Sequence, residues 1–356
     1  MFKFSFGEKS YLGVDIGTAS IKIVELENSA KGPTLKNYGI LESRGHLERL
    51  NYAIQTSGLK ILEEETVQLL QILLKELKPK GVEVAASLPA FSAFTTLLEM
   101  PLMSPEEISK TMPYQIKAFV PLPLEEVTID WLPIGEVEDE KGIKKQQIFL
   151  VAVPNEQIRK YQTIFANVGL KLRALEIETI SLARVLTGGD PTTSLIIDIG
   201  ARSTAIAVAA AGNLKYNSQT DFSSNALTQA ISKGLGITIP RAEELKKTRG
   251  LTGTGGEYEV STLMMPYLDA ILNEARRVKE VYEKDYQAKV DRIILSGGGA
   301  NLLGLEKYVT AELGLTAIKA SPFAKVGLPG EITSLTAELG PTLAVALGLG
   351  LKQIKK

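Results

Sequence analysis

At 356 residues the chain is too long for one small hydrophobic core, so two or three domains are expected. Its 40 basic and 41 acidic residues leave a net charge of −1, which argues against a broad basic surface and a nucleic-acid partner. There is no cysteine and one histidine, which excludes disulfides, zinc–thiolate sites and thiol catalysis, and makes any Ser-His-Asp triad depend on His46.

His46 lies in a polar stretch and is expected at the surface. The absence of cysteine is compatible with a reducing cytoplasm. The first ten residues lack the apolar run of a signal peptide, and no stretch approaches a membrane-spanning length.

Apolar alternation predicts strands at about 11–16, 20–27 and 34–42. A helix is expected over 63–78, with Val67, Leu70, Leu74 and Leu77 on one face and Lys78-Pro79-Lys80-Gly81 as its stop. A strand at 82–88 follows. From 91 the pattern changes: strand 94–99, helix from Ser104-Pro105 to about 119, strands 126–133 and 146–153, helix 154–169, strand 170–175. That β-α-β-β-α-β order is the split βαβ pattern of a ferredoxin-like unit, so 91–170 reads as an insert. The charged segment 136–145 is expected as a solvated hairpin tip.

Helix 178–186 then leads into strands at about 195–199, 203–210 and 213–220, which mirror the N-terminal trio. Helices at 224–234 and 241–248, a glycine-rich loop at 253–256 and a long helix at 258–287 follow, the last burying Ile271, Val278 and Val281. Strand 291–296 runs into Gly297-Gly298-Gly299-Ala300-Asn301, with a helix directly after. The C-terminal 343–354 is expected as a helix packed on the core.

Two segments nearly repeat. Leu12-Gly13-Val14-Asp15-Ile16-Gly17-Thr18-Ala19-Ser20 leads to Lys22, and Leu195-Ile196-Ile197-Asp198-Ile199-Gly200-Ala201-Arg202-Ser203-Thr204 leads to another apolar run. Each reads as a tight hairpin with Asp at the end of its first strand. One Asp-x-Gly makes only a turn; a second copy with the same flanks implies two related halves facing each other. Gly and Ser/Thr in such a turn aim N–H and hydroxyl groups at phosphate oxygens. Asp15 and Asp198 are hard oxygen donors suited to Mg²⁺, through water, and Lys22 supplies a point charge for phosphates. The triple glycine after a strand allows close approach of a flat ligand.

Taken in order, these pieces resemble the actin-like ATPase superfamily of actin, DnaK-type chaperones, sugar kinases and the division protein FtsA. The first phosphate loop is Asp15-x-Gly17-Thr18-(x)3-Lys22, the second Asp198-x-Gly200-(x)2-Ser203-Thr204, and the adenosine motif is 296–301. Small residues in 339–348 match the closing helix. Within the superfamily the opening 11–22, the insert, the segment 108–121 and the second loop resemble the PilM family of type IV pilus assembly.

The resemblance implies an α/β actin-like fold of two ribonuclease-H-like halves around a nucleotide cleft, with an inserted ferredoxin-like subdomain 1C. Half I would comprise 1–90, 171–192 and 330–356, the insert 91–170, and half II 193–329. ATP and Mg²⁺ are the implied ligands. Asp15 and Asp198 would hold the metal. Gly17, Thr18, Ala19, Ser20, Lys22, Gly200, Ala201, Arg202, Ser203 and Thr204 would surround phosphates. Gly297, Gly298, Gly299 and Asn301 would border adenosine, and Glu243 and Lys246 the ribose and adenine. For Glu243 and Lys246 a surface charge ladder is the open alternative. Glu178 is the candidate to position a catalytic water, or a helix-start Glu stabilised by the dipole, so slow hydrolysis at most is expected.

The implied partner is the cytoplasmic N-terminal peptide of the inner-membrane protein PilN, and through it PilO, PilP and the pilus ATPases, with a dimer or filament also compatible. The implied location is cytoplasmic, peripheral to the inner membrane. A small-molecule kinase, with Asp130 or Asp221 as acceptor-site residues, and an FtsA-like filament protein are the alternatives on the same fold.

Overall fold

The computed structural model describes residues 10–30, 32–43, 63–120, 123–138, 142–252 and 258–354. The expectations for His46, for the 253–256 loop and for the first nine residues lie outside them.

The chain builds two five-stranded sheets of one topology and a smaller third sheet. In the first, β1 (Ser10–Ile16), β2 (Ser20–Ser29) and β3 (Gly32–Glu42) form an antiparallel meander. α1 (Glu63–Leu77) crosses over, and β4 (Glu83–Leu88) returns parallel to β1. Thr66, Leu70 and Leu73 are the fully buried stripe of α1, with Val67, Leu74 and Leu77 beside it, so the inward face is rotated slightly from the expected one.

The second half repeats this order. β9 (Ser194–Ile199), β10 (Thr204–Ala210) and β11 (Asn213–Thr220) form the meander. α5 (Ser224–Leu235), α6 (Ile239–Arg249) and α7 (Tyr258–Tyr286) make the crossover. β12 (Arg292–Ser296) lies parallel to β9, and α8 (Leu305–Leu313) leads to β13 (Ala317–Lys319). On α7, Met264, Leu268, Ile271, Ala275 and Val278 form the buried stripe and Tyr282 continues it; Val281 is only half-buried.

Between β4 and the remainder of the first half comes the insert: β5 (Phe94–Pro101), α2 (Pro105–Phe119), β6 (Val127–Glu138) and β7 (Lys144–Pro154), in sheet order β5-β7-β6. Ser104 caps α2: its hydroxyl accepts from the Glu107 N–H and the Glu107 carboxylate accepts from the Ser104 N–H. Ile108, Met112 and Ile116, four residues apart, cover one face of the sheet. Strands β6 and β7 extend into the expected charged tip as far as Glu138 and from Lys144.

The ferredoxin-like βαββαβ order needs correction. α3 (Asn155–Asn167) and β8 (Lys171–Ile177) belong to the first half, where β8 pairs parallel to β4 and completes the sheet order β3-β2-β1-β4-β8. The insert is therefore β-α-β-β. The sequence pattern misled because a β-α-β-β insert followed by the host's own α-β unit spells the same string. Pairing decides it: β4 offers its free edge to the first strand able to reach it in parallel.

Two helices join the halves. α4 (Glu178–Thr187) leads from the first sheet into the second, and α9 (Thr336–Gln353) returns. By length and composition Ile332–Gln353 could cross a membrane, contrary to the expectation that no segment reached that length. Half of that stretch is buried in the fold, against β1, β2, β4 and α4, which is the packing of a core helix. Small residues allow it: a Cβ on Gly13 would lie 2.0 Å from the Ala346 carbonyl oxygen, and one on Gly348 2.2 Å from that of Ser181.

Candidate functional site

The two meanders end in hairpins of one design. Ile16 pairs with Ile21 and Ile199 with Thr204. In each the glycine N–H closes the four-residue turn, Gly17 onto the Ser20 carbonyl and Gly200 onto the Ser203 carbonyl, both at 3.0 Å. One residue back, Asp15 faces Lys22 across the ladder, while Asp198 faces Ala205. The repeat is thus faithful in backbone and unequal in charge.

The hairpins line a cavity of about 750 Å³ between the halves. Asp15, Gly17, Thr18, Ala19, Ser20 and Lys22 form one wall, and Asp198, Gly200, Ala201, Arg202 and Ser203 the facing one. Gly297, Gly298, Gly299 and Asn301 line it too, as do Glu243, Lys246 and Glu178. Thr204 alone among the residues expected to hold nucleotide or metal does not: it is buried, and its hydroxyl donates to the Phe222 carbonyl at 2.7 Å.

Three carboxylates meet one ammonium. Lys22 Nζ donates to Asp15 Oδ2 at 2.9 Å, and Ser87 Oγ donates to Asp15 Oδ1 at 2.7 Å. Burial alone would depress the Lys22 pKa, but Asp15, then Asp198 and Glu178, hold it above its ordinary value. Asp198 is pushed up to about 6 by burial, with Asp15 adding to the shift and Ser296 and Lys22 opposing it. Its Oδ1 is buried with no hydrogen-bond partner. Glu178, the first residue of α4, is driven well above the usual carboxylate range by burial and by Asp15 and Asp198, against Lys22 and the Ala90 N–H. Behind them Tyr161 on α3 is fully buried, and its hydroxyl also lacks a partner.

An orphaned carboxylate oxygen in a cleft with surplus negative charge suits a divalent cation. Among the described residues no three His, Cys, Asp or Glu side chains converge to hold one unaided. A Mg²⁺ here would therefore rely on water and phosphate oxygens for most of its ligands, which fits that ion's reluctance to dehydrate.

The glycine turn is built by contact. Gly297 has φ of +79°, and a Cβ there would lie 2.4 Å from the Ile199 carbonyl oxygen. A Cβ on Gly299 would lie 2.4 Å from Ile199 Cγ2, whereas one on Gly298 would meet open space. The turn thus seats on the end of β9 and leaves Gly298 clear for a planar ligand. The helix expected directly after it begins only at Leu305, beyond a short 3-10 turn. Asn301 Nδ2 donates to the Glu338 carbonyl at 3.0 Å and ties the turn to α9.

Glu243 and Lys246 are not a surface ladder. Lys246 is 5% exposed, 2.6 Å from Glu243, and donates to Ser224 Oγ and Thr228 Oγ1, each at 2.8 Å. Burial raises the Glu243 pKa, but Lys246 outweighs it and holds the carboxyl below its ordinary range. Sequence reasoning missed Phe91, Lys247, Leu303 and Lys319, which also line the cavity. No motif marks them. Asp130 and Asp221 do not line the cavity.

The family model for type IV pilus assembly protein PilM matches residues 13–354. Among solved structures the chain is similar to the protein of a PilM-PilN type IV pilus biogenesis complex, at 23% identity and a TM-score of 0.82, over 97% of this chain and 99% of that one. It also resembles ethanolamine utilization protein EutJ from Carboxydothermus hydrogenoformans, at 16% identity and a TM-score of 0.58, over 97% and 90%. MreB5 of Spiroplasma citri bound to AMPPNP matches at 14% identity and a TM-score of 0.56, over 97% and 96%. These likenesses establish the actin-like fold. With the family match spanning nearly its full length, the chain belongs to the PilM family of type IV pilus assembly proteins.

Proposed function

We propose that this chain is a nucleotide-binding component of type IV pilus assembly that takes Mg-ATP in the cleft and binds PilN. The observation that carries the nucleotide reading is the pair of matching Asp-x-Gly hairpins facing each other across the cavity, with one orphaned carboxylate oxygen and one partly buried lysine between them. Asp15 and Asp198 would hold the hydrated metal. Backbone N–H groups and hydroxyls of 18–20 and 201–203, with Lys22, would receive the phosphates, Gly17 and Gly200 would shape the turns that present them, and Gly298, Glu243 and Lys246 would receive the nucleoside. The bound Mg²⁺ would supply positive charge to the phosphates and relieve the carboxylate surplus.

Burial and two neighbouring carboxylates would hold Glu178 largely protonated, which leaves little carboxylate to take a proton from water. Slow turnover at most follows, as suits a switch rather than a motor. Binding of PilN rests on the family and on the likeness to a protein solved with PilN, and it would place this chain at the cytoplasmic face of the inner membrane.

The test is calorimetry with Mg-ATP on the unsubstituted chain and on Asp198→Ala, followed by recovery of the nucleotide. Binding lost in the variant, with ATP recovered intact, is the expected result. No binding by the unsubstituted chain would reduce the hairpins to inherited architecture, and rapid ADP production would make the protein an ATPase. A pull-down with the PilN cytoplasmic peptide tests the partner.

A further inference from the structure

The insert leaves the first half through 89–93 and returns to it at Pro154, so both covalent attachments are to one half. A third attachment is made to the other half. The register of β6 against β7 shifts between Pro133 and Gly135, leaving Ile134 out of the ladder. This bulge turns the Ile134 side chain into the main core and frees its carbonyl from sheet pairing. Lys215, on β11 of the second half, donates its Nζ to that carbonyl. Gly135, with φ of +155°, makes the room: a Cβ there would lie 3.2 Å from Lys215 Nζ.

The second half grips Lys215 from behind. Tyr286, at the end of α7, donates its hydroxyl to the Lys215 carbonyl at 2.9 Å and stacks on Tyr282 with ring centroids 4.5 Å apart. Among the described residues no carboxylate forms an ion pair with Lys215, and burial draws its pKa below the ordinary value. A desolvated lysine held by a carbonyl contributes little as a charge and much as a positioned donor.

The other end of the insert meets the cleft. Pro89 and Phe91, at its entry, line the cavity, and the Ala90 N–H bonds to Glu178. We infer that the insert is a strap across the two halves, latched by Lys215 to the Ile134 carbonyl, so that the insert's position and the state of the cleft are linked. The latch stands on the contacts above; its link to a ligand rests on the proposed nucleotide site.

The absence of cysteine makes the test clean. Spin labels at Lys144→Cys on the insert and Lys233→Cys on α5, both exposed, report the distance between insert and second half by pulsed electron paramagnetic resonance. A single narrow distribution is expected for the labelled chain. Lys215→Met should broaden or shift it, Lys215→Arg, which keeps a donor, should restore it, and Tyr286→Phe, which removes one hydroxyl, should shift it partly. A distribution unchanged by both Lys215→Met and Tyr286→Phe would overturn the latch.

For the link, the Kd for Mg-ATP should differ about fivefold between the unsubstituted chain and Lys215→Met, since coupling between two sites is reciprocal. Equal affinities alongside an altered distance would overturn the link and leave a purely structural latch. Failure of the unsubstituted chain to bind Mg-ATP would sink the nucleotide reading and the link with it, while the distances still decide the latch.

Discussion

Residue by residue, the cleft trades stability for ligand. Asp198 is buried with one oxygen unpartnered and with Ala205, not a lysine, across the ladder. Its neutral isostere removes that cost, so Asp198→Asn should raise stability by about 2 kcal/mol in urea denaturation while abolishing Mg-ATP binding. Lys22 has the opposite sign. Lys22→Met leaves the buried Asp15 without its counterion and should cost about 3 kcal/mol. In the Asp198→Asn background the same change should cost measurably less, because one of the carboxylates that Lys22 offsets is gone; strict additivity in the double-mutant cycle would contradict the shared charge balance.

The legibility of the chain divides along the same lines. Asp15, Lys22 and Asp198 could be read because strand periodicity places them at hairpin ends, where local sequence determines geometry. Phe91, Lys247 and Lys319 could not, because tertiary packing alone brings them to the cavity. Nor could the burial of Lys246: it sits in the charged run 243–249, and the Glu243 carboxylate together with the hydroxyls of Ser224 and Thr228 from α5 makes a buried ammonium tolerable.

Among elements, β8, α4 and α9 are joined by a carboxylate. Glu176 accepts from Arg184 through both oxygens at 2.6 and 2.9 Å, from Ser181 at 2.7 Å and from Lys352 at 2.7 Å. Burial would raise its pKa, but Arg184 and Lys352 outweigh it and hold it low. A carboxyl whose folded pKa is depressed stabilises the fold above its unfolded pKa, and that contribution disappears as pH falls through the folded value. Glu176→Gln should therefore cost about 3 kcal/mol at neutral pH, and the penalty should shrink below about pH 4. A penalty independent of pH in urea titrations would assign the effect to packing. The corrected insert belongs at this scale too: helix and strand periodicity located α3 and β8, but only pairing with β4 could say which sheet owned them.

For the whole molecule, three cores differ in size. The largest joins the first half to α9 and to parts of β9, β10 and β12, the second fills the space beneath α7, and the third, confined to the insert, holds ten buried apolar residues. Local opening follows buried apolar contact, so amides of β5 and β6 should exchange before those of β9 and β12. Mass-resolved hydrogen exchange checks this, and equal protection would show the insert to be one cooperative unit with the halves. The doubling of the fold was legible from the repeated hairpin, whereas the unequal size of the cores was not, since it depends on which faces α4 and α9 cover.

The glycines beneath α9 set what kind of motion the molecule allows. Gly13 and Gly348 let backbone meet backbone, the helix against β1 at one notch and against α4 at the other. Sliding the helix by one residue would drive Leu347 or Leu349 into the place of Gly348, where no Cβ fits. The helix is thus keyed in two places and cannot translate. Any gape at the cleft therefore has to come from rotation about these notches and not from the helix sliding along its axis.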